Sequence, residues 1–272
     1  MTELRHYLEG NIRWPLSVAI IGCGGNGAQM ASGLAAIQIA LKEIGDRSIE
    51  VTIFDNDVVT KANIGRQPFF PCDIGRNKAD ALTERINMAY GFNWTACPQE
   101  ITRNTKLSED LVISCVDTIK SRQEIYKSIT SSSDRYSNKL RYWLDLGNTE
   151  FTGQAVLGKI NNTKNGKNSK NPPLPHFFEK FPHLLQEDIE EDNSPSCSLA
   201  EALKRQSLFV NRTLASHSLS MLYELFVNGS VGAGGVYLNL KSGITIAMPL
   251  EAKTNKSKPR IARKKPKQDK IQ

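Results

Sequence analysis

A cluster of glycines and a later aspartate are the first residues in this sequence whose types and spacing indicate chemistry. The run GCGGNG at residues 22–27 fits the pattern G-x-G-x-x-G, and Asp55 follows at the end of a second apolar run. Glycines let the main chain approach a phosphate, and a carboxylate in this position binds ribose hydroxyls. The glycines expected to hold the phosphate are Gly22, Gly24, Gly25 and Gly27. This predicts a nucleotide site of a kind shared by dehydrogenases, flavoproteins, methyltransferases and adenylating enzymes.

Alternating strand-like and helix-like segments position these residues. Strands are predicted at 17–22, 49–55, 94–101, 110–117, 142–148 and 152–160, and helices at 27–45, 78–91 and 121–130. This alternation predicts right-handed βαβ units and a Rossmann-like, mostly parallel sheet with flanking helices. Ligands bind at the carboxyl ends of the strands in such sheets. We therefore expect Gly22, Asp55, Asp117 and Asp145 to lie at or near strand ends. Pro98 should limit its strand to an edge of the sheet or place the proline at the strand's end.

The remaining segments are expected to complete one α/β domain over residues 1–250. Residues 161–196 begin with a polar stretch rich in Asn, Lys and Pro, and we predict a flexible crossover there. A long helix is predicted for residues 198–229. Two β-rich runs at 234–240 and 244–250 predict an antiparallel hairpin at the end of the domain.

Several polar residues follow the glycine loop in a fixed order. They are Asp55 and Asp57, then Asn63, then Arg66 with Gln67, then Lys78, and finally Asp117 after a buried strand. This order resembles the ThiF/MoeB/ubiquitin-activating enzyme family, whose pattern is Gly-x-Gly-Gly-x-Gly, Asp-x-Asp, Asn-x-x-Arg-Gln, a lysine and an aspartate. The resemblance is strong over residues 17–130 and looser over 140–250. A dehydrogenase would need neither Asn-x-x-Arg-Gln nor the lysine, so an oxidoreductase with bound NAD is a remote alternative.

The resemblance implies an adenylyltransferase that uses ATP and Mg²⁺ to activate the C-terminal carboxylate of a small ubiquitin-like (β-grasp) protein. It implies that Arg66 and Lys78 neutralise the triphosphate, with Asn63 and Gln67 nearby, and that Asp117 holds Mg²⁺. It also implies that Asp55 and Asp57 belong to the nucleotide site and that the protein is a homodimer. The Cys-x-x-Cys pairs that bind metal in many relatives are missing here, so we expect no zinc.

Each of these residues also has an ordinary structural interpretation. Arg66 and Lys78 could be solvated surface charges, Asp117 could cap the next helix, and Asn63 could belong to a turn. Family members often carry an arginine, within Tyr-x-Arg-Gln near the N-terminus, that reaches into the partner subunit's site. This chain lacks that motif, and the candidates for the role are Arg5 and Arg13.

One cysteine stands out among the five in the sequence, an odd number that argues against a disulfide framework. Cys197 lies in the run DNSPSCSLAEAL, directly before the predicted long helix. A thiol at a helix N-terminus has a lowered pKa and is a better nucleophile. In the resembled family the catalytic cysteine, where present, lies in this crossover region, which implies thioester formation on Cys197. The alternative is an ordinary small residue. Cys23 is expected to pack beneath the loop and Cys115 within a buried strand.

The net charge of +7 is concentrated at the end of the sequence. Residues 251–272 contain nine Lys and Arg residues and two acidic residues, so the preceding 250 residues sum to zero. Such a polar tail is expected to be disordered, and it either contacts nucleic acid weakly or simply improves solubility. No apolar stretch approaches the roughly 18–20 residues of a membrane helix and no signal pattern is present, so we expect a cytoplasmic protein without membrane contacts.

Two further features refine the resemblance and leave an alternative open. The runs PSCSLAEALKRQSLFVN and GGVYLNL, with the chain length, resemble the ThiF-type proteins of the bacterial PRTRC system, which occurs on plasmids and other mobile DNA. That resemblance implies a ubiquitin-like partner with a glycine-rich C-terminus. The alternative function is a nucleotide-binding module without turnover that serves plasmid maintenance through its basic tail.

Overall fold

A computed structural model describes residues 4–8, 14–131, 142–160, 171–186 and 207–251. Its main feature is an eight-stranded sheet with the order β10-β9-β7-β6-β5-β2-β3-β4, and the short strands β1 and β8 pair separately. The strands are β1 His6–Tyr7, β2 Leu16–Ile21, β3 Ile49–Phe54, β4 Thr95–Cys97, β5 Leu111–Ser114, β6 Tyr142–Asn148, β7 Thr152–Lys159, β8 Ser230–Val231, β9 Ala233–Asn239 and β10 Ile244–Pro249. The helices are α1 Gly25–Gly45, α2 Lys78–Tyr90, α3 Ile119–Ser131, α4 Phe177–Lys180 and α5 Val210–Asn228.

The sheet has a parallel half and an antiparallel half. Strands β4, β3, β2, β5 and β6 run parallel, and β7, β9 and β10 extend the sheet antiparallel from β6. This confirms the Rossmann-like fold with a C-terminal hairpin, and β4 forms an edge as Pro98 predicted. The chain leaves β2 toward β3 and later returns to its other side as β5. The carboxyl ends of β2 and β5 therefore form a topological switch point, where α/β sheets bind ligands.

Helices cover both faces of the sheet. One apolar core joins the sheet to α1, α2 and α5, and a second joins it to α3 and α4. Helices α1 and α5 run side by side in the same direction, because Gly25 lies against Asn211, Gly33 against Leu219, and Arg47 binds the carbonyl of Phe226. Both helices consequently begin at the carboxyl edge of the parallel strands. No helix in the described ranges combines the length and apolar character needed to cross a membrane.

Two segments differ from the sequence-based expectation. The predicted helix 198–229 does not continue through Ser207, because the Ser207 N–H donates 2.7 Å to the carbonyl of Glu150 and a turn precedes Val210. Within the predicted crossover 161–196, residues 171–186 are described, and Phe177 and Phe178 pack in the core beneath the sheet. The rest of that crossover and the tail after residue 251 lie outside the described residues.

Candidate functional site

The glycine loop turns the chain directly from β2 into α1. Gly22 has φ +88°, a left-handed conformation that favours glycine, and a side chain there would lie 2.8 Å from the carbonyl oxygen of Cys115. A side chain at Gly27 would lie 1.7 Å from the carbonyl oxygen of Gly22. Only glycine fits at these two positions. The tight turn that they allow places the start of α1 at the switch point.

The first turn of α1 is open to an anion. Its N-cap residue is Gly24, which has no side chain to accept the N–H groups of the turn, and the turn contains no acidic residue. These N–H groups and the helix dipole favour a phosphate. The amide of Gln67 lies close above, since a side chain at Gly24 would be 3.8 Å from Gln67 Nε2. Gln67, a predicted nucleotide-site residue, therefore lies beside the glycine loop.

Asp55 lies beside this turn, just after β3. Its carboxylate accepts the N–H of Cys23 and, at 2.8 Å, the N–H of Asp57. Burial raises the pKa of Asp55, and the nearby positive charge of Lys78 opposes that rise. Each carboxylate oxygen has a further acceptor position beyond these main-chain bonds. The Asp55 carboxylate can therefore accept hydrogen bonds from two ribose hydroxyls, the role that the sequence predicted for it.

Lys78 is buried, contrary to the interpretation of it as a solvated surface charge. Only 7% of the residue is exposed, and its Nζ donates 2.7 Å to Oδ2 of the exposed Asp57. The main-chain N–H of Lys78 also donates 2.9 Å to the Asp57 carbonyl. A buried lysine whose partner carboxylate is exposed can exchange that partner for a phosphate.

The sequence analysis missed Asn77, which joins the two sides of this cluster. Its Nδ2 donates to the carbonyl oxygens of Asp55 at 2.9 Å and Asp57 at 3.1 Å, while its Oδ1 accepts the N–H of Asp80 and caps α2. The residue fixes Lys78, the first residue of α2, relative to Asp55. An Asn directly before a helical run was the available signal, because Asn is a preferred N-cap.

Arg66 and Asp117 face the same crevice from different segments. Arg66 is half-buried in the segment between β3 and α2, and burial lowers the pKa of Arg66 while the charge of Asp117 opposes this. Asp117 is exposed, three residues beyond the end of β5. The hydroxyl of Thr118 accepts the N–H of Ser121 at 2.9 Å, so Thr118 takes the capping position considered for Asp117. Asp117 is left facing solvent at the switch point.

The oxygen end of the Asn63 side-chain amide has the turn-forming role that was considered for this residue. Its Oδ1 accepts the N–H of Thr60 at 2.8 Å and the Thr60 hydroxyl at 3.1 Å, which closes a short turn. Its carbonyl oxygen accepts the N–H of Gln67 at 2.9 Å. Asn63 therefore supports the segment that carries Arg66 and Gln67, and its NH₂ group is the part suited to donate to a ligand.

Asp145 does not belong to the crevice, although the sequence placed it with the other strand-end residues. It lies in the middle of β6. The N–H of Arg122 Nε donates to both of its carboxylate oxygens, at 3.0 Å to Oδ1 and 3.1 Å to Oδ2, and the Ser114 hydroxyl donates to Oδ1 at 2.6 Å. Arg122 also donates to the carbonyl of Leu146. This fully buried pair connects α3 to the sheet and has a structural role.

Cys23 and Cys115 are buried structural residues near this site. Cys23 is fully buried, and burial followed by the charge of Asp55 raises the pKa of its thiol. Burial also raises the pKa of Cys115. Both predictions of buried thiols are confirmed. Cys197 lies outside the described residues, so its predicted place at a helix N-terminus stays a prediction; the helix described after it, α5, begins at Val210.

Of the two arginines considered for a role in a partner subunit's site, the structure describes Arg5. Arg13 lies outside the described residues. Arg5 binds Glu224 and, at 3.0 Å, the hydroxyl of Ser230, at the opposite end of α5 from the glycine loop. Nineteen residues of α5 span about 28 Å, so Arg5 is remote from the crevice of its own chain. Its action in a partner's site stays a prediction.

Known proteins share this fold. E. coli MccB solved with ATP has a TM-score of 0.55 at 13% identity, covering 88% of this chain and 64% of MccB. E. coli MccB solved with selenomethionine MccA has a TM-score of 0.57 at 14% identity, covering 88% of this chain and 65% of MccB. The Arabidopsis thaliana protein named ubiquitin-like modifier-activating enzyme 5 is 28% identical over 169 residues, which is 53% of this chain and 34% of that protein. The chain thus spans about a third of that relative and under two thirds of MccB.

The family assignment depends on a match along most of the chain. The model of the ThiF family matches residues 14–248, which include the glycine loop, both halves of the sheet and the final hairpin. The match extends the resemblance from the motif-bearing half to the segments after residue 140. This chain belongs to the ThiF family.

Proposed function

We propose that this protein transfers AMP from ATP to the C-terminal carboxylate of a small ubiquitin-like (β-grasp) protein. The observation that carries the proposal is the gathering of Asp55, the open turn of α1, Lys78 and Arg66 around one crevice. A carboxylate for ribose, main-chain N–H groups for phosphate and two cations match the parts of a nucleoside triphosphate. The names and ligands of the relatives support the same class of reaction.

The proposed reaction needs little acid–base chemistry. One oxygen of the terminal carboxylate attacks the α-phosphorus, the bond from that phosphorus to the bridging oxygen breaks, and pyrophosphate leaves. A terminal carboxylate with a pKa of about 3.5 is already ionised at neutral pH, so no general base is required. The protein's contribution is to align the reactants and to neutralise phosphate charge.

The described residues divide these tasks. Asp55 accepts the ribose hydroxyls, and the N–H groups at the start of α1 hold the α-phosphate. Arg66 and Lys78 neutralise the departing pyrophosphate, and Lys78 exchanges Asp57 for a phosphate oxygen as ATP enters. Gln67 and the NH₂ group of Asn63 complete the nucleotide site. The charges are already held by burial and hydrogen bonds, which reduces the reorganisation that accompanies the reaction.

Asp117 is proposed to hold Mg²⁺ together with the phosphates of ATP. Mg²⁺ is commonly bound by one or two carboxylates plus substrate phosphates rather than by a cage of protein ligands. The donor set fits this arrangement, because Asp117 presents one exposed carboxylate at the switch point. When bound, the ion would supply charge neutralisation on the triphosphate. That the protein binds no zinc stays a prediction.

Cys197 is proposed to receive the activated group in a second step. Its thiolate would attack the carbonyl carbon of the acyl-adenylate, the carbon–oxygen bond to phosphate would break, and AMP would leave. The homodimer and the assignment to the PRTRC group are part of the same proposal. The homodimer depends on the resemblance to the wider family, and the assignment depends on the runs PSCSLAEALKRQSLFVN and GGVYLNL with the chain length.

ATP–pyrophosphate exchange, measured with small β-grasp proteins as substrates, tests the proposal. We expect exchange that depends on such a protein, at least a hundredfold loss in Asp117→Ala, and wild-type activity in the matched control Glu43→Ala on the exposed distal part of α1. Cys197→Ala should retain exchange and fail to form a thioester. Absence of exchange with every β-grasp partner would contradict the proposed function.

The charge of the tail favours one alternative function. With nine basic residues after residue 250, the chain could bind nucleotide without turnover and act on plasmid DNA through the tail. A protein that binds ATP, shows no exchange, and loses salt-sensitive DNA binding when residues 251–272 are deleted would favour this function over adenylation.

A further inference from the structure

An asparagine inside the glycine loop has hydrogen-bonding capacity that the nucleotide does not explain. Asn26 is the second residue of α1, and only 7% of it is exposed. Its Nδ2 donates 2.7 Å to Oδ1 of Asn148, whereas its own Oδ1 is buried and accepts no hydrogen bond from any residue that the structure describes. Leaving an acceptor buried without a donor is energetically unfavourable. The site therefore favours a ligand that brings an N–H or O–H group.

The position of this amide separates it from the nucleotide-binding groups. Asn26 follows β2 and Asn148 ends β6, while β5 lies between these strands. Leu144 and Leu146 pack in the core that the sheet shares with α1 and α5. Because side chains alternate along a strand, Asn148 faces the same side of the sheet as these two leucines. The hydrogen bond between the two asparagines therefore crosses the crevice beyond the end of β5, on the opposite side of the loop from Asp55.

The start of α5 bounds this part of the crevice. A side chain at Gly25 would lie 2.0 Å from Nδ2 of Asn211, so the first turn of α5 packs directly against the first turn of α1. Asn211 is buried, like Asn26. A ligand that reaches the Oδ1 of Asn26 must therefore be narrow, and an extended main chain with small residues satisfies this requirement.

The geometry of phosphoryl transfer gives this region its role. In an in-line displacement the nucleophile and the leaving group lie on opposite sides of the phosphorus. Lys78 and Arg66, the cations suited to pyrophosphate, follow β3. The attacking carboxylate therefore approaches from the side of β5 and β6, where Asn26 meets Asn148. A carboxylate or a phosphate would repel the oxygen of Asn26, but the peptide N–H next to that carboxylate would not.

We propose that the pair Asn26 and Asn148 binds the main chain of the acyl substrate, with Asn26 Oδ1 accepting the N–H of its C-terminal residue. This inference rests on the proposed adenylation, and it names the part of the substrate that the glycine loop recognises. Asn148 holds the Asn26 amide in the orientation that presents its oxygen.

The test combines a protein variant with a change to the single proposed donor. The probe is a β-grasp protein ending in Gly-Gly, prepared by ligation with either hydrogen or methyl on the last peptide nitrogen. In the wild-type chain, N-methylation should raise the KM of the protein substrate about tenfold, the equivalent of one hydrogen bond. Asn26→Leu should raise the same KM about tenfold, leave the KM of ATP unchanged, and abolish the effect of N-methylation.

Two controls separate the possible outcomes. Asn93→Leu, an exposed amide at the amino end of β4, should match the wild type. Asn148→Ala should reproduce the substrate effect, and unaltered ATP binding verifies that each variant is folded. An N-methylation penalty that persists in Asn26→Leu, or a rise in the KM of ATP instead, would overturn this inference alone. A wild-type chain without exchange would overturn the proposed function and this inference with it.

Discussion

Strands β3 and β6 each bring a buried aspartate into the molecule, and the two carboxylates have opposite surroundings. Asp55, just after β3, is held by main-chain N–H groups, while the nearby Lys78 is bound to Asp57. Asp145, within β6, accepts two contacts from the guanidinium of Arg122. One carboxylate faces the crevice and the other is enclosed by the fold.

The difference indicates how a strand-end carboxylate becomes available to a ligand. A buried carboxylate paired with a buried cation is neutralised without any ligand, and its lone pairs are occupied. A carboxylate held by dipoles alone keeps acceptor positions for an incoming donor, at the expense of a raised pKa. On this comparison, substitution of Asp145 should affect folding first, and substitution of Asp55 should affect nucleotide binding first.

The largest expected effect is the destabilisation caused by Asp145→Ala. Removing one partner of a buried pair leaves the Arg122 charge without compensation, and we expect the free energy of unfolding to fall by about 3–5 kcal/mol. Urea denaturation measures this loss. The double variant Asp145→Ala with Arg122→Met should recover part of it, because the uncompensated charge is removed. A loss below about 1 kcal/mol would contradict the structural role of this pair.

A smaller and different effect is expected for Asp55→Ala. The variant loses the proposed acceptor for two ribose hydroxyls. Hydrogen bonds to a charged group contribute about 1.5–3 kcal/mol, so the Kd of ATP should rise about 10- to 100-fold. Titration calorimetry with ATP measures the change, with deoxyribose ATP analogues as a control for the hydroxyls. If Asp55→Ala lost as much folding stability as Asp145→Ala and no nucleotide affinity, the two carboxylates would not differ in role.

The same comparison shows which features were accessible from sequence. Residues Asp55 and Lys78 were predictable because both follow directly from local order: a strand ending in a carboxylate, then a helix beginning with a lysine. The strand and helix pattern from β2 to β6 was also local, since alternating periodicity depends on neighbouring residues. These elements were placed to within a few residues.

The features that escaped prediction depend on contacts between distant segments. Asp145 has the same sequence signature as Asp55, an acidic residue in a buried strand, and only the approach of Arg122 from α3 distinguishes it. The start of α5 is set by the bond from Ser207 to Glu150, which no periodicity reports. Asn26 occupies a variable position of the glycine motif, so its contact with Asn148 was equally hidden.

The smallest expected effect is the pH dependence of stability that Asp55 produces. Burial raises its folded pKa above its ordinary value, so between the two values the folded chain binds more protons than the unfolded chain. Its contribution to stability is therefore present at low pH and is lost as the pH rises from about 4 through the folded pKa. Asp55→Asn cannot titrate and removes this contribution.

Urea denaturation of the wild type and Asp55→Asn at a series of pH values isolates this single group. The wild-type free energy of unfolding minus that of the variant should decline with rising pH, at no more than about 1.4 kcal/mol per pH unit, and become constant above the folded pKa. Titrating groups that do not interact with Asp55 cancel in the difference. A difference that increases with pH would mean that the main-chain N–H groups stabilise the carboxylate more than burial penalises it. In that case Asp55, like Asp145, would be fully compensated within the fold.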